Sequence, residues 1–173
     1  MKRAVIFLVL FLGFKLFSQT NADPIVVVDS KIIGKMNDNK NIIENIKSED
    51  VSTVTVFKDS LISKKYGSDY GVIIITTKKY IINTFYENFI KNTSLKENIK
   101  SADELIQVGI IGMNNKSKNQ PYDELLNYIY TNTINEKIKK ITKITFIKPI
   151  DAIKLNENWV NGALEIDSET TTE

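Results

Sequence analysis

The chain has 173 residues, no cysteine and no histidine, and 23 basic against 21 acidic side chains. Without thiol or imidazole, disulfide staples, thiolate or imidazole zinc sites and Ser-His-Asp or Cys-His catalysis are excluded. Lys2, Arg3 and Lys15 all precede residue 20, so the remainder carries 20 basic and 21 acidic side chains, too even a balance for a nucleic-acid footprint.

The chain opens with "MKR", an apolar run over 4–14 and a polar "KLFSQT". This is the layout of a secretory signal peptide, and removal of residues 1–19 is expected. The apolar run is too short to cross a bilayer, and an uncleaved amphipathic anchor is the other reading of these residues. No cysteine follows the run, so a lipoprotein signal is not expected. The expectation is an exported protein with no stable membrane insertion once the signal is removed. The remaining residues, about 154, are enough for one domain or two very small ones.

"IVVVD" (Ile25–Asp29) predicts a first strand from its β-branched content, and "SKIIG" a continuation or a second short one. "KMNDNKN" (Lys35–Asn41) reads as a polar loop. Ile42, Ile43 and Ile46 then recur at helical spacing. "VSTVTVFKD" (Val51–Asp59) alternates, with Val54 and Val56 on one face and Thr53 and Thr55 on the other. "SLISKKYG" predicts a short helix capped by Ser60 and ended by Gly67. "GVIIITTKK" (Gly71–Lys79) is an unbroken apolar run, expected of a central strand covered on both faces. Ile82, Phe85, Tyr86 and Phe89 then recur at three and four, which predicts an amphipathic linking helix.

The second half rhymes with the first. "VSTVTVFK" (Val51–Lys58) matches "ITKITFIK" (Ile141–Lys148) in pattern at an offset of 90, and one insertion later Gly71 falls on Gly162. "LIQVGIIG" (Leu105–Gly112) resembles the opening strand, and "YDELLNYIYTN" (Tyr122–Asn132) supplies a helix. The second copy departs from the first where Pro149 replaces Asp59 and where Glu165 interrupts the strand pattern. The fold class expected is α+β: two tandem β-α-β-α-β units with short helices on small mixed sheets. The boundaries expected are 20–79 for the first unit, 80–104 for a linking helix and connector, 105–168 for a degenerate second unit and 169–173 for a polar tail.

Pro24, Asp29, Glu49, Asp50, Lys58, Asp59, Tyr66, Gly67, Gly71 and the "ITTKK" ending together resemble the plug domain of TonB-dependent outer-membrane receptors, of the type in Bacteroidetes-like bacteria. The resemblance covers Pro24 to Lys79. It departs in a shortened loop, where only Asp69 and Tyr70 stand between Ser68 and Gly71, and in Ser30, where the family favours glycine. The segments that alternate are too few to close a membrane barrel. The resemblance therefore implies a plug-like module without its pore, at the periplasm or outer membrane of a Gram-negative bacterium, with an envelope protein as partner.

The residue types that carry chemistry argue for architecture. Asp29, Lys58, Asp59, Tyr66, Gly67, Gly71 and Gly162 are expected to be structural. Glu49/Asp50, Asp103/Glu104 and Asp123/Glu124 are adjacent pairs that do not share a helix face and suit helix caps. "NDNKN" lacks the glycine and the glutamate of a calcium loop. No catalytic, cofactor or metal residue is expected. Lys65, Ser68, Asp69, Tyr70 and Trp159 are the candidates for contact with a partner. The alternative is a small-ligand carrier with a pocket between the two repeats lined by Phe85, Tyr86, Phe89 and Trp159.

Overall fold

A computed structural model describes residues 23–58, 61–112, 121–129 and 139–170. The segment expected to be a signal peptide (1–19), Asp59, Ser60 and part of the helix expected over Tyr122–Asn132 lie outside these residues. The class is α+β, with two small mixed sheets and short helices, and the described residues divide into two compact units at Lys78/Lys79.

The first unit is a four-stranded sheet in the order β2-β1-β4-β3. Its strands are β1 (Ile25–Val28), β2 (Lys31–Lys35), β3 (Val51–Phe57) and β4 (Val72–Thr77). β1 and β4 run parallel, while β2 and β3 flank them antiparallel. Asp29 and Ser30 form the two-residue turn between β1 and β2 with φ of +50° and +65°. Two positive angles in a row give the turn whose twist matches a hairpin, and glycine favours it. The Asp29 carboxylate then ties the hairpin to β4, accepting from the Thr77 N–H at 2.7 Å and from the Thr77 hydroxyl at 2.8 Å.

β4 is covered on both faces, as its unbroken apolar run predicts. Val72 and Ile74 pack with Val27, Phe57 and Tyr66 on one side, and Ile75 packs with Val26, Met36 and Val51 on the other. Two expectations need correction. "KMNDNKN" is not an open loop: Asn37–Asn39 form a 3-10 turn that runs into α1 (Lys40–Glu44). Of the three isoleucines beyond it, Ile43 and Ile46 pack on the sheet while Ile42 is exposed. The next helix, α2 (Leu61–Lys65), is a single short turn, and Gly67 follows it at φ +68°.

The second unit is a three-stranded sheet in the order β5-β7-β6. Its strands are β5 (Gly109–Ile111), β6 (Lys139–Ile147) and β7 (Ala163–Thr170). The helix predicted after β4 is α3 (Lys78–Phe89), and it is not a separate linker. Its Ile81, Ile82, Phe85 and Tyr86 are core residues of this unit, packed with Leu125, Tyr128, Leu164 and Ile166. Helical periodicity foretells the apolar stripe but not which core receives it. The connector beyond it folds into a 3-10 turn (Ser94–Glu97) and α4 (Ala102–Leu105). Ser101 and Glu104 cap α4 reciprocally: Ser101 Oγ accepts from the Glu104 N–H, and Glu104 accepts from the Lys100 N–H. Leu105 therefore ends a helix rather than opening a strand.

β7 also corrects the reading of Glu165. The strand runs unbroken, with Leu164 and Ile166 in the core and Glu165 and Asp167 exposed on the opposite face. Glu169 and Thr170 belong to this strand and not to a tail. The described part of the helix expected over Tyr122–Asn132 is α5 (Pro121–Leu126). Pro149 likewise marks no decay, because it stands in the first turn of α6 (Pro149–Leu155), where its missing N–H costs nothing.

The two sheets repeat one another in detail. β5 is parallel to β7 and β6 antiparallel to it, as β1 and β3 are to β4. The ladder slips between Val51 and Thr53 in β3 and between Ile141 and Lys143 in β6, at the same offset of 90. Gly71 and Gly162 enter the middle strands at φ +100° and +95°. A Cβ there would fall 2.5 Å from the Phe57 carbonyl oxygen or 2.7 Å from that of Ile147, so both positions require glycine. Their carbonyls accept from the first residue of the parallel neighbour, Ile25 N–H at 3.1 Å and Gly109 N–H at 2.9 Å.

Candidate interaction site

The predicted contact residues near the first glycine turn separate into two groups. Lys65, Asp69 and Tyr70 are exposed. Ser68 is buried: its hydroxyl donates to the Gly71 carbonyl at 2.5 Å and accepts from the Tyr70 N–H. It holds the turn and offers nothing to a partner. Tyr66 packs its ring beside Val27 and Val72, as an architectural residue should. Lys58 is exposed at the end of β3.

Trp159 is the sequence candidate that leads to a concave surface. It sits in the turn after α6, where its N–H donates to the Asn156 carbonyl and its own carbonyl accepts from the Gly162 N–H. Asn156 also accepts the Asn158 N–H through its side chain, which closes the bend. The indole packs in a small cluster with Ala152 and Ala163. It also lies flat against β5: a Cβ on Gly109 would be 2.3 Å from two of its ring carbons. Gly109 is therefore the partner that lets the ring approach the strand backbone. That pairing spans fifty residues of chain, and no local pattern announces it.

Beside the ring is a cleft of about 360 Å³, lined by the run Ile106–Ile110 and by Pro121, Asn158 and Trp159. Among the described residues no charged side chain lines it. The run is fixed from both ends, by the capped helix α4 before it and by the Gly109–Gly162 hydrogen bond within it. Asn161 adds a side-chain donor to the Gln107 carbonyl at 3.4 Å. Ile106 and Val160 stay exposed nearby.

Of the rings expected to line a carrier pocket, Phe85, Tyr86 and Phe89 are brought together in one cluster, and Trp159 is not among them. Phe85 is fully buried, with ring centroids 5.0 Å from Phe89 and 6.4 Å from Tyr128, and Tyr86 donates its hydroxyl to the Lys100 carbonyl. Trp159 belongs to a different cluster of the same unit. Phe85 and Tyr86 are core, not lining.

The charged groups are used locally. Glu104 caps α4, and Glu124 accepts from the Tyr128 hydroxyl at 2.5 Å. On the open face of α3 the Glu87 carboxylate bonds Lys91 at 2.7 Å and raises the lysine above its ordinary pKa. Among the described residues no group of three or more acidic side chains is placed to hold a metal ion, and no helix is long and apolar enough to cross a membrane. Comparison with family models, curated proteins and solved structures finds no match for the chain.

Proposed function

We propose that this protein is an exported, non-enzymatic interaction module of the periplasm or outer-membrane periphery, associated with TonB-dependent nutrient uptake. It binds an envelope protein by adding a strand to a sheet edge. The plug-like pattern over Pro24–Lys79 supports the compartment, and the signal-like opening supports export. The observation that carries the binding mode is the cleft beside β5, which among the described residues is an outer strand of its sheet. The motif residues Asp29, Tyr66, Gly67 and Gly71 support the non-enzymatic reading, because each is occupied with shaping the fold.

The test is expression of the full chain with a C-terminal tag in a Gram-negative host, followed by fractionation, intact mass and crosslinked capture from envelope extract. The expected result is a product shortened by the signal segment in the periplasmic or outer-membrane fraction, crosslinked to an envelope protein. An uncleaved product retained in the cytoplasm, or an envelope extract that yields no crosslinked protein, overturns the reading.

A further inference from the structure

The outer strands of the two sheets are not finished alike. β2 carries Lys31 and Lys35, and β6 carries Lys139, Lys140 and Lys143. Lysine on an outer strand discourages a second chain from pairing there. β5 has three residues. β3 has seven, Val51–Phe57, with no charge, proline or glycine among them. No residue from Ser52 to Phe57 is buried, and Val56 is 42% exposed. α1 ends at Glu44 before this strand and α2 begins at Leu61 after it, and among the described residues no strand pairs with its outer side.

Hydrogen bonding assigns the backbone groups on that outer side. Ile25 and Asp29 give their N–H groups to the carbonyls of Gly71 and Ile75, so the odd-numbered residues of β4 turn toward β1. The even-numbered ones turn toward β3, where Val72, Ile74 and Thr76 stand opposite Phe57, Thr55 and Thr53. Val54 and Val56, between these, direct their own N–H and carbonyl groups outward. The slip in the ladder lies before Thr53, so the run Thr53–Phe57 is regular.

We infer that this rim pairs with the same strand of a second copy, antiparallel across a twofold axis centred on Thr55. Val54 of each copy then lies opposite Val56 of the other and exchanges both backbone hydrogen bonds with it. Thr55 faces Thr55 of the other copy, and Thr53 faces Phe57, which are cross-strand pairs of the favourable kinds. Charge selects this occupant and this direction. Glu49 and Asp50 precede the uncharged run and Lys58 follows it, all three exposed. An antiparallel copy brings the acidic end of each strand to the lysine end of the other, whereas a parallel copy sets like charges together. Each copy has one such rim, so pairing closes at a dimer. A strand pair alone is a small contact, so the dimer is weak and reversible. The inference stands apart from the envelope-partner reading.

The test is sedimentation of the full chain as its concentration rises from micromolar to millimolar. A monomer–dimer equilibrium that goes no further is expected. Val56→Lys and Thr55→Lys, both at unburied positions, should each weaken the dimer by about tenfold by setting like charges beside the axis, with circular dichroism unchanged. Lys58→Asp should weaken it by about threefold, and adding Asp50→Lys should recover the loss. The chain has no cysteine, so Thr55→Cys introduces a single thiol, and oxidation should join two copies through it. Thr53→Cys sets its two thiols about 14 Å apart along the pair and should not crosslink. A monomer at every concentration, growth beyond the dimer, or a dimer untouched by both lysine variants overturns the inference. Equal crosslinking at positions 53 and 55 overturns the antiparallel register. A monomer whose capture from envelope extract is lost on Val56→Lys assigns the rim to the envelope partner and overturns the second copy.

Discussion

The outer rims of β1 and β5 occupy the same place in two copies of one pattern, yet they are finished differently. β1 carries an antiparallel strand fastened through Asp29 to Thr77, whereas among the described residues β5 borders a cleft to which Trp159 contributes. The middle strands differ in the same direction. β4 is buried on both faces, while β7 buries Leu164 and Ile166 and turns Glu165 and Asp167 to solvent. A shared backbone plan therefore fixes the strand order, the slipped register and the glycine entry, and leaves the coverage of the sheet to individual side chains.

The sharpest contrast is at equivalent positions of the middle strands. Ile74→Ala should destabilise by about 2–5 kcal/mol, the range for a truncated core side chain. Glu165→Ala should stay within about 0.5 kcal/mol, as surface substitutions do. Urea unfolding of both variants measures the difference, and equal losses would break the distinction between the two sheets. Next in size, Gly71→Ala and Gly162→Ala should each cost about 1–3 kcal/mol from backbone strain, with the carbonyl contact added. Similar losses sharpen the repeat, and a neutral Gly162→Ala would break it. Asp29→Ala removes the tie between hairpin and sheet and should cost about 1–2 kcal/mol. It should also speed amide exchange in β2 more than in β3. The smallest effect is a gain: Ser30→Gly should stabilise by about 0.5–1 kcal/mol by relieving the positive φ, read in the same unfolding experiment.

Much of this plan is visible in the residues. Val, Ile and Thr alternate in β3, the unbroken apolar run marks β4, and the offset between Val51–Lys58 and Ile141–Lys148 announces the repeat. Features that depend on coverage are not visible locally. Glu165 looks like an interruption until its face is known, and Pro149 looks like decay until a helix is found to begin there. The aromatic helix could have served either unit, because periodicity fixes a stripe but not its partner. The site was half legible: the lone tryptophan stands out in composition, but its seat on Gly109 depends on two residues far apart in sequence.

The two units have separate hydrophobic clusters, and no disulfide can tie them because the chain has no cysteine. Each of these clusters lies within one unit. Indole emission follows only the C-terminal unit, while far-ultraviolet dichroism follows both. Whether the melting curves from these two probes coincide therefore tests whether the two units unfold as one cooperative block, and a single midpoint temperature describes the chain only if they do.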